Sequence, residues 1–171
     1  MKNNDEKPKK VVFLDMDGVV NRLGVPCEAG DSQYIDKQLY VRLQQIIERT
    51  GAKVVLSSSW KDFPDYYNFL KDFFRCDDIE IIDKTPALAS GRSSEIRRWL
   101  EENEGVDRYA VLDDFDLSDG LPKSVLVRTL HVIDDGVDRR VTTGLTDDDV
   151  DRAVHILNGC EQDLAQMTMA I

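Results

Sequence analysis

Apolar positions along this chain alternate between two periodicities. Short unbroken runs rich in β-branched residues are bounded by turn formers. They predict buried strands at Val11 onward, Lys53–Ser57, Ile79–Asp83 and Arg108–Asp113, with a short one at Ser124–Arg128. Between them the spacing changes to that of a helix. Leu39, Leu43, Ile46 and Ile47 fall on one side of a helix from Asp36 to Thr50, with Gly51 placed to cap it. Further helices are predicted from about Phe63 to Phe74, from Ser93 to Glu102 (Ile96, Trp99 and Leu100 on one face), and from Thr146 to Ile156. Thr146 is a natural N-cap there, and Asp147, Asp148 and Asp149 suit the positive end of the helix dipole. Asn21–Tyr34 carries Gly, Pro, Asp and Ser and reads as a loop or small flap.

Strands separated by helices predict an α/β fold: one three-layer, Rossmann-like domain with a parallel sheet, helices on both faces and no large cap domain. The expected division is a polar tail over 1–10, the domain over 11–158 and a C-terminal tail over 159–171, whose Met167, Met169 and Ile171 either dock on the body or fray. At 171 residues, 42% hydrophobic and 32% charged, the chain can bury a substantial core. No apolar run is long enough to span a bilayer, and Met1 to Lys10 is polar, unlike a signal peptide, which predicts a cytoplasmic protein with no membrane partner. Cys27, Cys76 and Cys160 are scattered, outside any CxxC pair, and read as reduced thiols. A net charge of -11 disfavours tight nonspecific binding along a phosphate backbone, although one phosphate at a nucleic-acid end can still be held by a metal and a few local cations.

The chemistry concentrates at the strand ends. The first strand closes in Asp15-Met16-Asp17-Gly18, the second in Ser57-Ser58-Ser59-Trp60, the fourth in Asp113-Asp114 with Asp116 and Asp119 beyond. In an open α/β sheet ligands bind at the carboxyl ends of strands. A buried carboxylate is costly unless a metal or donors meet it, so two at one strand end need an explanation. Carboxylates that converge without a matching cluster of Lys or Arg call for a cation, and oxygen-only ligation favours a hard ion, Mg²⁺ by default. Gly18 lets the chain turn away with no side chain blocking the approach of a substrate. Trp60 could stack a base, but packing is the commoner role at such a junction. His131 and His155 lie far apart in sequence, and Asp134-Asp135 reads as a turn.

This ordered set resembles the haloacid dehalogenase (HAD) superfamily of phosphohydrolases. DxDG after a hydrophobic strand appears as Asp15 to Gly18, the Ser or Thr closing the next strand as Ser57 (with Ser58 the other register), and the later acidic pair as Asp113-Asp114. More narrowly, LDMDGVVN, VVLSSSW, GRSSEIRRWL, YAVLDD and TGLT are similar to the HAD domain of Swiss Army Knife RNA-repair proteins, over Val11 to about Asn158. The resemblance implies an Mg²⁺-dependent phosphomonoesterase. Asp15 would be the nucleophile that forms an aspartyl-phosphate, and Asp17 the general acid and base. Asp15, the Asp17 backbone carbonyl and Asp113 or Asp114 would be the metal ligands. It also implies a Lys or Arg that steadies the phosphoryl group. Arg92, at a helix start facing the crevice, is the first choice, and Lys84 after the third strand is the rival. Ser57 or Ser58 would hold phosphoryl oxygens. The implied substrate is a phosphorylated molecule such as a polynucleotide end, with a small nucleotide or another phosphomonoester as the alternative. A phosphotransferase or mutase, and a HAD-like binding module without activity, are the alternatives.

Overall fold

The computed structural model describes residues 9–22, 35–130, 132–133 and 141–159. Most of the expected flap, over 23–34, lies outside the described residues, as do Cys27, His131, Asp134-Asp135, Cys160 and the tails over 1–8 and 160–171. Within them the chain runs β1 (Lys10–Leu14), α1 (Lys37–Thr50), β2 (Lys53–Leu56), α2 (Pro64–Arg75), β3 (Ile81–Lys84), α3 (Arg92–Glu102), β4 (Arg108–Asp113), β5 (Leu126–Arg128), β6 (Val132–Ile133), β7 (Val141–Thr142) and α4 (Asp147–Asn158).

The five strands β3-β2-β1-β4-β5 form one parallel sheet in that order. Val11 to Leu14 are fully buried because central parallel strands are covered on both faces, which is why they read as unbroken apolar runs. Alternate residues point opposite ways. Val12 and Leu14 pack into a large core with α1, α2 and α4, through Leu43, Phe74 and Leu157 among others. Val11 and Phe13 face Ile96 and Trp99 of α3, and the Phe13 ring meets Trp99 edge-on at 5.4 Å.

The helix ends follow their expected chemistry. Asp36 caps α1 through bonds from the Gln38 and Leu39 amides, and Gly51 closes it in the left-handed region at φ 67°. Thr146 and Asp149 form a capping box at the start of α4.

Several boundaries differ from expectation. The third strand begins at Ile81 rather than Ile79, because the Ile79 amide is held by the Phe74 carbonyl in the turn that ends α2. The fifth strand shortens to Leu126–Arg128, since Lys123–Val125 coils into a 3-10 turn after Pro122. A second 3-10 turn at Ser59–Asp62 and the antiparallel pair β6-β7 have no counterpart in the sequence pattern. Two-residue strands carry no periodicity to read.

The strand order reverses at β1. Its next strand in sequence, β2, lies on one side and β4 on the other, so the crevice between the carboxyl ends of β1 and β4 is the switch point of the sheet.

Candidate active site

The residues that line this crevice are fastened by continuations of the sheet itself. The Asp15 amide donates to the Leu112 carbonyl at 3.0 Å, the Ser57 amide to Leu14 at 2.9 Å, and the Thr129 amide to Asp113 at 2.9 Å. Each strand thus extends its ladder by one residue into the polar end, which fixes where the side chains emerge.

Asp15, Asp113 and Asp114 are buried, and each offers a carboxylate oxygen within 4.8 Å of the other two. Arg92 meets two of them. One terminal nitrogen lies 2.6 Å from Asp15 Oδ2 and 2.7 Å from Asp113 Oδ2. The other oxygens are held by main-chain donors: the Met16 amide on Asp15 Oδ1 and the Phe115 amide on Asp113 Oδ1.

Three carboxylates against one guanidinium leave an excess of negative charge in a poorly solvated place. Burial and the neighbouring Asp15 push the Asp113 carboxyl up to about 6, against the opposing pull of Arg92. Asp114 is raised for the same two reasons in the same order. Burial pulls the Arg92 guanidinium down, yet Asp113 and Asp15 together hold its proton more firmly than usual. A hard divalent ion would relieve this crowding, and the donors are all oxygens.

Asp17 stands apart from the acidic trio. Its Oδ2 accepts a bond from the Trp60 indole at 2.9 Å and its Oδ1 one from the Asn21 amide group at 3.2 Å. Trp60 is 7% exposed, so its ring is packing and a hydrogen-bond donor rather than an open stacking face. Gly18 follows in the left-handed region at φ 77°, and a Cβ there would come within 2.8 to 2.9 Å of the Asp114 side chain. Its carbonyl accepts from the buried Thr129 hydroxyl at 2.7 Å.

The two serine registers separate clearly. Ser58 Oγ accepts from the Trp60 amide at 3.4 Å and caps the 3-10 turn. Ser57 is fully buried, and its Oγ finds no hydrogen-bond partner among the described residues. A buried hydroxyl with no partner is costly, and it is available to a ligand oxygen.

The candidate cations separate as well. Lys84 is exposed, with its Nζ on the Lys61 carbonyl at 3.0 Å and over the Tyr67 ring at 4.8 Å. Sequence reasoning missed Lys61. It is 4% exposed, and its Nζ pairs with Glu95 at 3.0 Å. Glu95 also accepts from the Thr85 hydroxyl and the Leu88 amide. The position of Lys61, just past the serines of the second strand, was the available signal.

Ser57, Lys61 and Arg92 line a groove of about 650 Å³ beside the acidic trio, walled by the start of α3 and by Phe115. Asp119 lies on its rim, exposed and outside the trio. His155 is exposed on α4, and Asp147 to Asp149 begin that helix as expected. Cys76 is an exposed free thiol. No helix among the described residues is long and apolar enough to cross a membrane.

Among known protein families, the profile described as "HAD domain in Swiss Army Knife RNA repair proteins" matches residues 11–150. No curated protein and no solved structure matches the chain significantly.

Proposed function

The chain belongs to the family of HAD domains found in Swiss Army Knife RNA-repair proteins, and from that membership and the geometry of the crevice we propose that it is an Mg²⁺-dependent phosphomonoesterase working through an aspartyl-phosphate. The observation that carries this reading is the meeting of Asp15, Asp113 and Asp114 at the sheet's switch point, with Arg92 bridging two of them. Nucleic-acid end phosphates or nucleotides are the proposed substrates, a reading supported by the family's description.

Asp15 would attack phosphorus through its Oδ2, the oxygen now paired with Arg92, while its Oδ1 stays on the Met16 amide. The new P–O bond forms as the bond to the leaving oxygen breaks, and Asp17 delivers a proton to that oxygen. Each Asp17 oxygen accepts one bond, from Asn21 or from Trp60, and keeps a second lone pair for the proton it carries. In the second half a water attacks phosphorus, the bond to Asp15 breaks, and Asp17 takes the water's proton.

Arg92 and the Ser57 hydroxyl would hold equatorial oxygens, where charge spreads in the transition state. Asp15, the Asp17 carbonyl and Asp113 or Asp114 would hold the ion, which supplies charge neutralisation on the phosphoryl oxygens when bound.

The test is acid-quench trapping of protein-bound phosphate from a labelled phosphomonoester, with and without Mg²⁺. Wild type should accumulate an acid-stable, hydroxylamine-sensitive adduct and release phosphate; Asp15→Asn should do neither while melting normally. Phosphate release by Asp15→Asn at an appreciable rate would overturn the assignment, and a new phosphoester formed from added glycerol would indicate transfer instead of hydrolysis.

A further inference from the structure

We propose that the side chain of Phe115 is a stacking platform for a nucleobase, making the groove beside the acidic trio a site for a nucleotide that carries one terminal phosphate. The inference rests on the phosphomonoesterase reading and narrows its substrate class.

Phe115 is 62% exposed, the most open of the large apolar side chains among the described residues. A single exposed apolar residue needs no explanation by itself, so its surroundings decide. The Phe115 amide donates to Asp113 Oδ1 at 2.9 Å, which fixes the residue relative to the reacting carboxylates. Its ring lies 5.5 Å from the Arg92 guanidinium carbon, and that guanidinium is the group bound to Asp15. A phosphate drawn to Arg92 therefore arrives with its attached nucleoside next to an open aromatic face.

The rest of the groove's lining supplies what a base edge needs. Ser90, Gly91, Ser93 and Ser94 line the groove at the start of α3, offering neutral donors and acceptors. A groove of about 650 Å³ is of the size that holds a small organic ligand. Among ring-bearing phosphoesters, a nucleobase has a polar edge to match these groups, whereas the ring of a phosphotyrosine has none.

Charge limits the rest of the ligand. Within the groove Lys61 is matched by Glu95, and Arg92 by Asp15 and Asp113. Arg97 shares the lining with Asp62, Asp116 and Asp119, so the groove offers no track for successive phosphates. One phosphate on an otherwise neutral body fits best.

The experiment is calorimetric titration of the full chain carrying Asp15→Asn, in Mg²⁺, with adenosine 3′-phosphate, phosphotyrosine and glycerol 3-phosphate. Adenosine 3′-phosphate should bind most tightly. Adding Phe115→Ala should weaken it about 10-fold, the effect expected of one lost base stack, and so narrow its margin over glycerol 3-phosphate. Phe115→Leu should behave like the Ala variant, and Phe115→Trp should keep the margin. Equal affinities in the parent, no binding of any ligand, a preference for phosphotyrosine, or a margin that survives Phe115→Ala would each overturn the proposal. Turnover of adenosine 3′-phosphate and of glycerol 3-phosphate by the chain with Asp15 intact is measured in parallel. Turnover without a stacking margin removes only the base platform; a margin without turnover removes the phosphomonoesterase reading.

Discussion

The indole nitrogen of Trp60 donates a 2.9 Å hydrogen bond to Asp17 Oδ2, joining the turn after β2 to the second aspartate after β1. A bond to a charged acceptor is worth roughly 1.5–3 kcal/mol. Trp60→Phe keeps most of the packing and removes the donor, so kcat should fall about 10-fold or somewhat more, with substrate affinity changed less. Burst and steady-state phosphate release will separate the two. An unchanged kcat would mean that Asn21 and the local fold alone orient Asp17.

Metal-free stability should depend on pH through Asp113. Its carboxyl is raised from 3.8 to about 6 in the folded chain, so between those values the native state keeps a proton that the unfolded chain has lost. Stability from this group is therefore greatest at low pH and declines as pH rises from about 4 through 6, by roughly 3 kcal/mol. Mg²⁺ needs the ionised form, so its stabilising effect should grow over the same interval. Melting curves from about pH 4 to 7, with and without Mg²⁺, should diverge as pH rises; parallel curves would contradict this.

Gly18→Ala should strain the site twice, through a left-handed φ and through contact with the Asp114 side chain. A loss of roughly 2 kcal/mol is expected, which for a chain of this size lowers the melting temperature by roughly 4–8 °C. Mg²⁺ affinity measured by titration should weaken as well, because Asp114 has to move. A variant that binds Mg²⁺ normally would show that Asp114 is dispensable for the ion.

Glu95→Gln should be more damaging than an ordinary charge-to-amide change, because it takes the nearer counter-charge from the Lys61 ammonium, 4% exposed, and leaves only the half-exposed Asp62 at 4.0 Å. Breaking one side of a buried pair costs roughly 3–5 kcal/mol. The double change Lys61→Met with Glu95→Leu should recover much of that loss. Urea unfolding at constant slope would measure both, and a double variant no better than the single one would assign the cost to the lost bonds from Leu88 and Thr85.

What the sequence made legible follows from which forces act locally. The runs at Val11–Leu14 and Val54–Leu56 announce buried strands because their neighbours on both faces are apolar, and Asp36, Gly51 and Thr146 mark helix ends through bonds within a few residues. Asp15, Asp113, Asp114 and Arg92 could be gathered because strand ends converge in this fold class. The Asp17–Trp60 bond spans 43 residues and depends on a 3-10 turn that no periodicity reveals. The choice between Ser57 and Ser58 needed the partners of each hydroxyl, and the burial of Lys61 depends on Glu95, a residue 34 positions away.

Because the ladders of β1, β2 and β4 run straight into Asp15, Ser57 and the Asp113–Thr129 contact, the reactive end cannot loosen by itself. Heating should therefore displace Asp15, Ser57 and Asp113 only as the sheet itself melts.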